Sequence, residues 1–156
     1  KIARNRLLLL AAPAFIVTYG MPTTITDLAQ LPAASYASNS LRVEGINYYN
    51  HTGEHCEQKI KSVFRANDAE VLLMKTLSGT TYFLAPAFIL DKEVIDGQLV
   101  PLLTDVKLME HSAMYAVYPH RDLPVRTRLF FDAVREYIGK ERPIWENSIP
   151  NFDQMY

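Results

Sequence analysis

A single cysteine, Cys56, excludes any disulfide within the chain and favours a reducing compartment. Neither sign of charge is in excess: 16 Lys and Arg stand against 17 Asp and Glu, a formal net charge of −1, and the basic residues are scattered singly. Without a basic stripe to neutralise a phosphate backbone, the chain by itself is not expected to bind nucleic acid. No segment approaches the ~20 consecutive apolar residues of a membrane helix, so no membrane partner is expected. There is no nucleophile elbow, no Gly-rich phosphate loop and no carboxylate dyad. The expectation is therefore a protein that is not an enzyme, with no catalytic residue and no cofactor. What is present is 156 residues, 49% apolar and 21% charged. That suffices for one domain with a sizeable core, or for a large piece of a two-lobed one, and is too apolar for disorder.

The first twenty residues, KIARNRLLLLAAPAFIVTYG, place Lys1, Arg4 and Arg6 ahead of an apolar run. A secretory signal peptide is laid out this way. The competing reading is a buried strand over residues 6–10 and a helix opened by Pro13 and stopped by Gly20. A short helix follows, with Thr26 as N-cap and Pro32 as stop, and then a strand over 33–36.

Residues 41–66 carry the clearest strand signal. In their second half Cys56, Ile60, Phe64 and Ala66 share one face, with charged residues mostly on the other, and HTGE supplies a hairpin loop. The period then changes. Asn67 with Glu70 three residues on is a capping box, followed by Val71, Leu72, Met74 and Leu77 at helical spacing and Gly79 at the end. Strands over 81–85 and 99–103 flank a second Pro-initiated helix over 86–95. A strand in AMYAVYP leads to the longest helix, 124–138, which has one apolar face and ends at Gly139. Strands alternating with helices imply an α/β protein with a parallel or mixed sheet, and the hairpin adds antiparallel strands.

The densest group of potential ligands is HTGEHCE, with His51, Glu54, His55, Cys56 and Glu57. Two imidazoles four apart share a face only on a helix, whereas this segment reads as a hairpin tip, so a solvated turn is expected and no metal site. Cys56 faces an apolar side and reads as a small core residue. His111 and His120 show no ligand spacing. The helix start at Asn67 presents free N–H groups, but every helix has such an end, and as structure alone Asn67 is a cap worth about 1 kcal/mol.

Three blocks read in order carry more. RLLLLAAPAFIVTYGMPTTITDLAQLP, then FRANDAEVLLMKTLSGTTYFLAPAFILDKEVIDGQLVPLL, then YAVYPHRDLPVRTRLFFDAVREYI together resemble the effector-binding region of LysR-type transcriptional regulators. Pro13, Gly20, Pro22, Asp27, Leu28, Pro86, Phe88, Gly97, Leu99, Val100, Tyr118, Pro119, Leu123, Pro124, Val125, Arg128, Phe130 and Asp132 fit the family pattern over about residues 4–139. The unbroken run from residue 6 into this pattern favours strand and helix over a signal peptide.

The resemblance implies a type 2 periplasmic-binding-protein-like α/β fold, the chain being mostly the second lobe of a two-lobed, doubly wound domain. Residues 1–139 would be a partial effector-binding domain, with 6–116 in the second lobe and 119–139 the helix returning to the first. Crossings would lie near residues 3–6 and 118–119. Residues 140–156 would be a C-terminal tail too apolar to be free, docked on the body or a partner. A chain that begins at Lys1 would be truncated on its N-terminal side, without the DNA-binding winged helix-turn-helix and most of the first lobe. The apolar face of the last helix would then be exposed.

As function, the resemblance implies a cytoplasmic sensing domain that binds a small effector between lobes. It would act as a homodimer or homotetramer, for which the helix over 68–78 is a candidate surface unless its apolar face only packs on the sheet, and touch DNA only through the missing domain. Asn67, Asp68 and Ala69 match the position that offers contacts to the effector, and Arg4 matches one where some members touch it, its charge suiting an anion. Capping remains the alternative for Asn67, and a helix-dipole role facing water for Asp68. SGTTYFLAP departs from the family pattern, with Thr81 in place of a glycine and Tyr82 adding bulk, so a reshaped cleft is expected. An extracytoplasmic solute-binding protein of the same architecture is the alternative class.

Overall fold

The computed structural model describes residues 1–110, 113–118, 124–139 and 142–156. His111, Pro119, His120 and Leu123 lie outside the described residues, as does part of the second expected crossing.

At the centre stands a five-stranded mixed sheet of order β6-β3-β7-β2-β8, built from β2 (Leu7–Ala11), β3 (Pro32–Tyr36), β6 (Lys61–Ala66), β7 (Tyr82–Pro86) and β8 (Val100–Pro101). β3 runs parallel to both β6 and β7, whereas β2 is antiparallel to β7 and β8. All five residues of β2 are buried, as its unbroken Leu-Leu-Leu-Leu-Ala requires of a strand covered on both faces. Alternate residues feed two cores. Leu8 and Leu10 pack with Leu72 and Leu73 of α3 (Ala69–Leu77), while Leu7, Leu9 and Ala11 pack with Phe15 of α1 (Pro13–Tyr19) and Leu28 of α2 (Ile25–Ala29). The fold is thus doubly wound.

The hairpin forms a separate antiparallel sheet in which β4 (Gly45–Tyr49) lies between β5 (His55–Lys59) and β9 (Lys107–Leu108). The expected single strand through residue 66 is broken at Ile60, whose amide donates to Glu44 O before the chain turns to pair with β3. Period-two alternation continues through the break, because it records faces and not partners. The remaining pair joins β1 (Ala3–Arg4) to β10 (Ala113–Met114), antiparallel.

Three further expectations shift. The second helix is capped by Thr24, which accepts from Asp27 N–H at 3.0 Å, and not by Thr26. The expected 86–95 helix is a single 3-10 turn, Ala87–Ile89. Buried Ala87 and Leu90 pull the chain into the core, and the Glu93 carboxylate accepts the Asp91 amide in place of a helical carbonyl. The strand expected in AMYAVYP is only the two residues of β10.

The last helix, α4 (Val125–Ile138), has no buried residue; Val125, Leu129, Phe130 and Tyr137 are exposed. The tail behaves otherwise. Glu146, Ile149 and Phe152 are buried on the α3 side of the central sheet.

Candidate functional site

In a parallel pair the carboxyl ends of the strands and the amino end of the connecting helix meet at one edge of the sheet, where α/β proteins place ligands. Here Tyr36 and Pro86 end β3 and β7, Ala69 begins α3, and antiparallel β2 starts at the same edge because Leu7 pairs with Pro86. The hairpin sheet stands over this edge. Between the two lies a cavity of about 630 Å³ whose walls include Asn5, Tyr36, Arg42, Ala69, Phe88 and Met109. A second, more polar hollow of about 710 Å³ is lined by Ser38, Ser40, Arg65 and Asn67, and shares Arg42 and Glu44 with the first.

The four residues singled out from sequence are not gathered in one place. Ala69 lines the cavity, and Asn67 lines the adjoining polar hollow. The N-cap is Asp68, one residue later than expected, its carboxylate accepting Glu70 N–H at 2.8 Å and Val71 N–H at 3.4 Å. Asn67 is therefore released from capping, and Asp68 is occupied by it.

Arg4 is occupied too. Between β1 and β2, Asn5 faces the cavity, while Arg4 and Arg6 on either side of it point behind it. There both guanidiniums meet the Glu146 carboxylate: Arg4 Nε and Nη2 donate at 3.1 and 2.7 Å, and Arg6 Nε donates at 3.0 Å. Glu146 is fully buried. Burial works to raise its pKa, but the hydrogen bonds and charges of Arg6 and Arg4 prevail and hold it below the ordinary carboxylate value. By the same balance Arg6, itself buried, is held above the usual guanidinium value by Glu146 and Asp153.

The hairpin tip is a solvated turn closed on itself. Glu54 and Thr52 donate their amides to Asn50 Oδ1, and His55 contacts Asn47 Oδ1 at 2.9 Å. No group of three or more possible metal ligands occurs among the described residues. Cys56 is half-buried. Tyr82 does not reshape the cleft: it is fully buried in the core, edge-on to Phe15 with ring centroids 6.3 Å apart. Sequence reasoning missed Asn5, Tyr36 and Arg42; the strand-end rule applied to β3 would have pointed to Tyr36.

No helix among the described residues is long and apolar enough to cross a membrane. Residues 1–139 match the family model described as the LysR substrate binding domain. The transcriptional regulator PtxR of Pseudomonas aeruginosa is 35% identical over 77 residues, 49% of this chain and 24% of that protein. CrgA of Neisseria meningitidis serogroup B is 26% identical over 139 residues, 86% of this chain and 44% of that protein. The solved regulatory domain of AphB from Vibrio vulnificus superposes with a TM-score of 0.70 at 27% identity, covering 88% of this chain and 68% of that one. The chain thus spans less than half the length of these curated relatives.

Proposed function

The chain belongs to the LysR-type transcriptional regulators, as an effector-binding domain of type 2 periplasmic-binding-protein-like fold, and from that premise we propose that the 630 Å³ cavity receives the effector. The observation that carries this reading is the cavity's place at the carboxyl ends of β3 and β7, walled by the first residue of α3 and by Asn5 beside the paired strands β1 and β10.

In this reading residues 6–116 are mostly the second lobe, and the β1–β10 pair carries the crossing between lobes. α4 returns to a first lobe that buries Leu129 and Phe130, whose exposure would otherwise invite association. Residues 142–156 form a docked tail. Effector binding then shifts the population of lobe arrangements by its differential affinity for them, and a separate DNA-binding domain reads the outcome in a cytoplasmic homodimer or homotetramer.

The effector is small and carries an acidic group. Support for the anion comes no longer from Arg4 but from Arg42, which lines both hollows and has no carboxylate partner among the described residues. Asn67, now free of capping, stands beside it as a hydrogen-bonding contact.

A thermal-shift panel of small carboxylates and their neutral amides tests this. Carboxylates should raise Tm where their amides do not, and calorimetry on Asn67→Ala should then show weakened binding. Amides that bind as well as the acids would remove the anion from the account. Unchanged affinity in a folded Asn67→Ala protein would remove Asn67 from the site.

A further inference from the structure

The family model ends at residue 139, and nothing in it accounts for the segment that follows. Residues 142–156 make two 3-10 turns, Ile144–Ser148 and Phe152–Met155, and reach the candidate cavity from behind at three points. First, Glu146 binds Arg4 and Arg6, the residues on either side of Asn5, so one buried carboxylate fixes the backbone that presents Asn5 to the cavity. The Arg6 guanidinium is also covered by the rings of Phe152 and Tyr156, at 4.3 and 4.9 Å from their centroids. Second, the Tyr156 hydroxyl accepts from Leu7 N–H at 2.7 Å and donates to Leu7 O at 2.6 Å. Arg6 O is taken by Ala87 N–H on the β7 side, so the polar groups of Leu7 face the other edge, where pairing with residues 100–102 extends only as far as Leu9. Tyr156 completes the strand there. Third, Trp145 lies edge-on to Phe88, a wall residue, with centroids 6.3 Å apart.

We infer that residues 142–156 are a strap that positions the rear wall of the cavity and the strand β1 leading out of it, with Glu146 and Tyr156 as its positioning residues. Local backbone stability varies across a protein, and a two-residue strand pair with few hydrogen bonds belongs to its weaker end. β1 pairs with β10 over two positions, supplemented by Ile2 N–H to Met114 O at 2.7 Å. Held from behind by two guanidinium–carboxylate contacts, that pair keeps one geometry. Released, it samples several. A change in the strap therefore alters both the shape of the wall and the freedom of β1. The inference deepens the effector-site reading, on which its regulatory meaning rests, but the strap itself is tested without any effector.

The test is amide hydrogen exchange on the intact protein, comparing wild type with Tyr156→Phe, Glu146→Gln and Ile149→Ala. Tyr156→Phe keeps the ring and removes only the hydroxyl. Ile149→Ala loosens the tail's apolar contact with the core but leaves its polar contacts in place. With the strap as described, Tyr156→Phe and Glu146→Gln speed exchange at Ile2 and Leu7 by about tenfold or more while amides of α1 and α3 keep their wild-type rates. Ile149→Ala gives no such selectivity. Uniform acceleration in all three variants, or unchanged exchange at Ile2 and Leu7 in Tyr156→Phe, overturns the inference. Because no ligand enters the measurement, its outcome is separate from that of the carboxylate panel.

Discussion

Arg6 and Glu146, 140 residues apart in sequence, form a buried pair in which Arg6 Nε donates to the Glu146 carboxylate at 3.0 Å. The side chain of Glu146 is 0% exposed and that of Arg6 4%. A buried ion pair adds little net stability over well-packed apolar residues, but removing one partner strands the other charge. Glu146→Ala should therefore lower unfolding free energy by about 3 kcal/mol or more. A chemical denaturation midpoint close to that of wild type would contradict this.

Acid should weaken the same network. Glu146 and Asp153 lie below their ordinary values of 4.5 and 3.8, so through that range the unfolded chain binds more protons than the fold. The stability they contribute is fully present above about pH 4.5 and is lost as pH falls through their lowered values. The guanidiniums that face them are those of Arg4, Arg6 and Arg142. Urea midpoints measured from pH 7 down to pH 3 should fall, and fall less steeply in Glu146→Gln.

Alkali acts through Tyr156, whose hydroxyl is pushed up to about 12 chiefly by burial. Its unfolded counterpart ionises near 10, so stability present below pH 10 declines as pH rises from there towards 12. Tyr156→Phe should flatten part of that decline in a titration of midpoints.

Tyr82→Phe is expected to be neutral or stabilising by up to about 1 kcal/mol, against the usual direction of core substitutions. The buried Tyr82 hydroxyl has no hydrogen-bond partner among the described residues, so deleting it removes a desolvated polar group and little else. A Tm lowered by several degrees would show that the hydroxyl is satisfied.

Gly79→Ala should destabilise by more than about 1 kcal/mol, since φ is +77° there and an added Cβ would stand 2.8 Å from Ala14 Cβ. This glycine ends α3 against α1, and a variant as stable as wild type would mean that the turn can re-form elsewhere.

Much of the fold could be read from local pattern: the buried β2, the Pro13-initiated helix, the hairpin and α4 all follow from apolar period and punctuating residues. Where reading failed, the deciding partner was distant. Alternation through residues 55–66 could not reveal that Ile60 hands the chain from one sheet to another. The capping box at Asn67 was displaced by one residue because Asp68, equally able to cap, has the extended backbone that a cap requires. Arg4 looked available for an anion because its partner, Glu146, lies 142 residues on, in a tail outside the family pattern. The site was legible as a region, the start of α3 and the first crossing, but which side chains face it depends on how the chain turns Asn5 between β1 and β2 and on Glu146 behind it.

The central claim, that the cavity receives the effector, is tested most directly by a crystal structure of the intact protein with a carboxylate that raises its Tm. The account predicts density for that compound between Asn5, Ala69 and Phe88, with its acidic group towards Arg42. Density elsewhere, with this cavity empty, would contradict it.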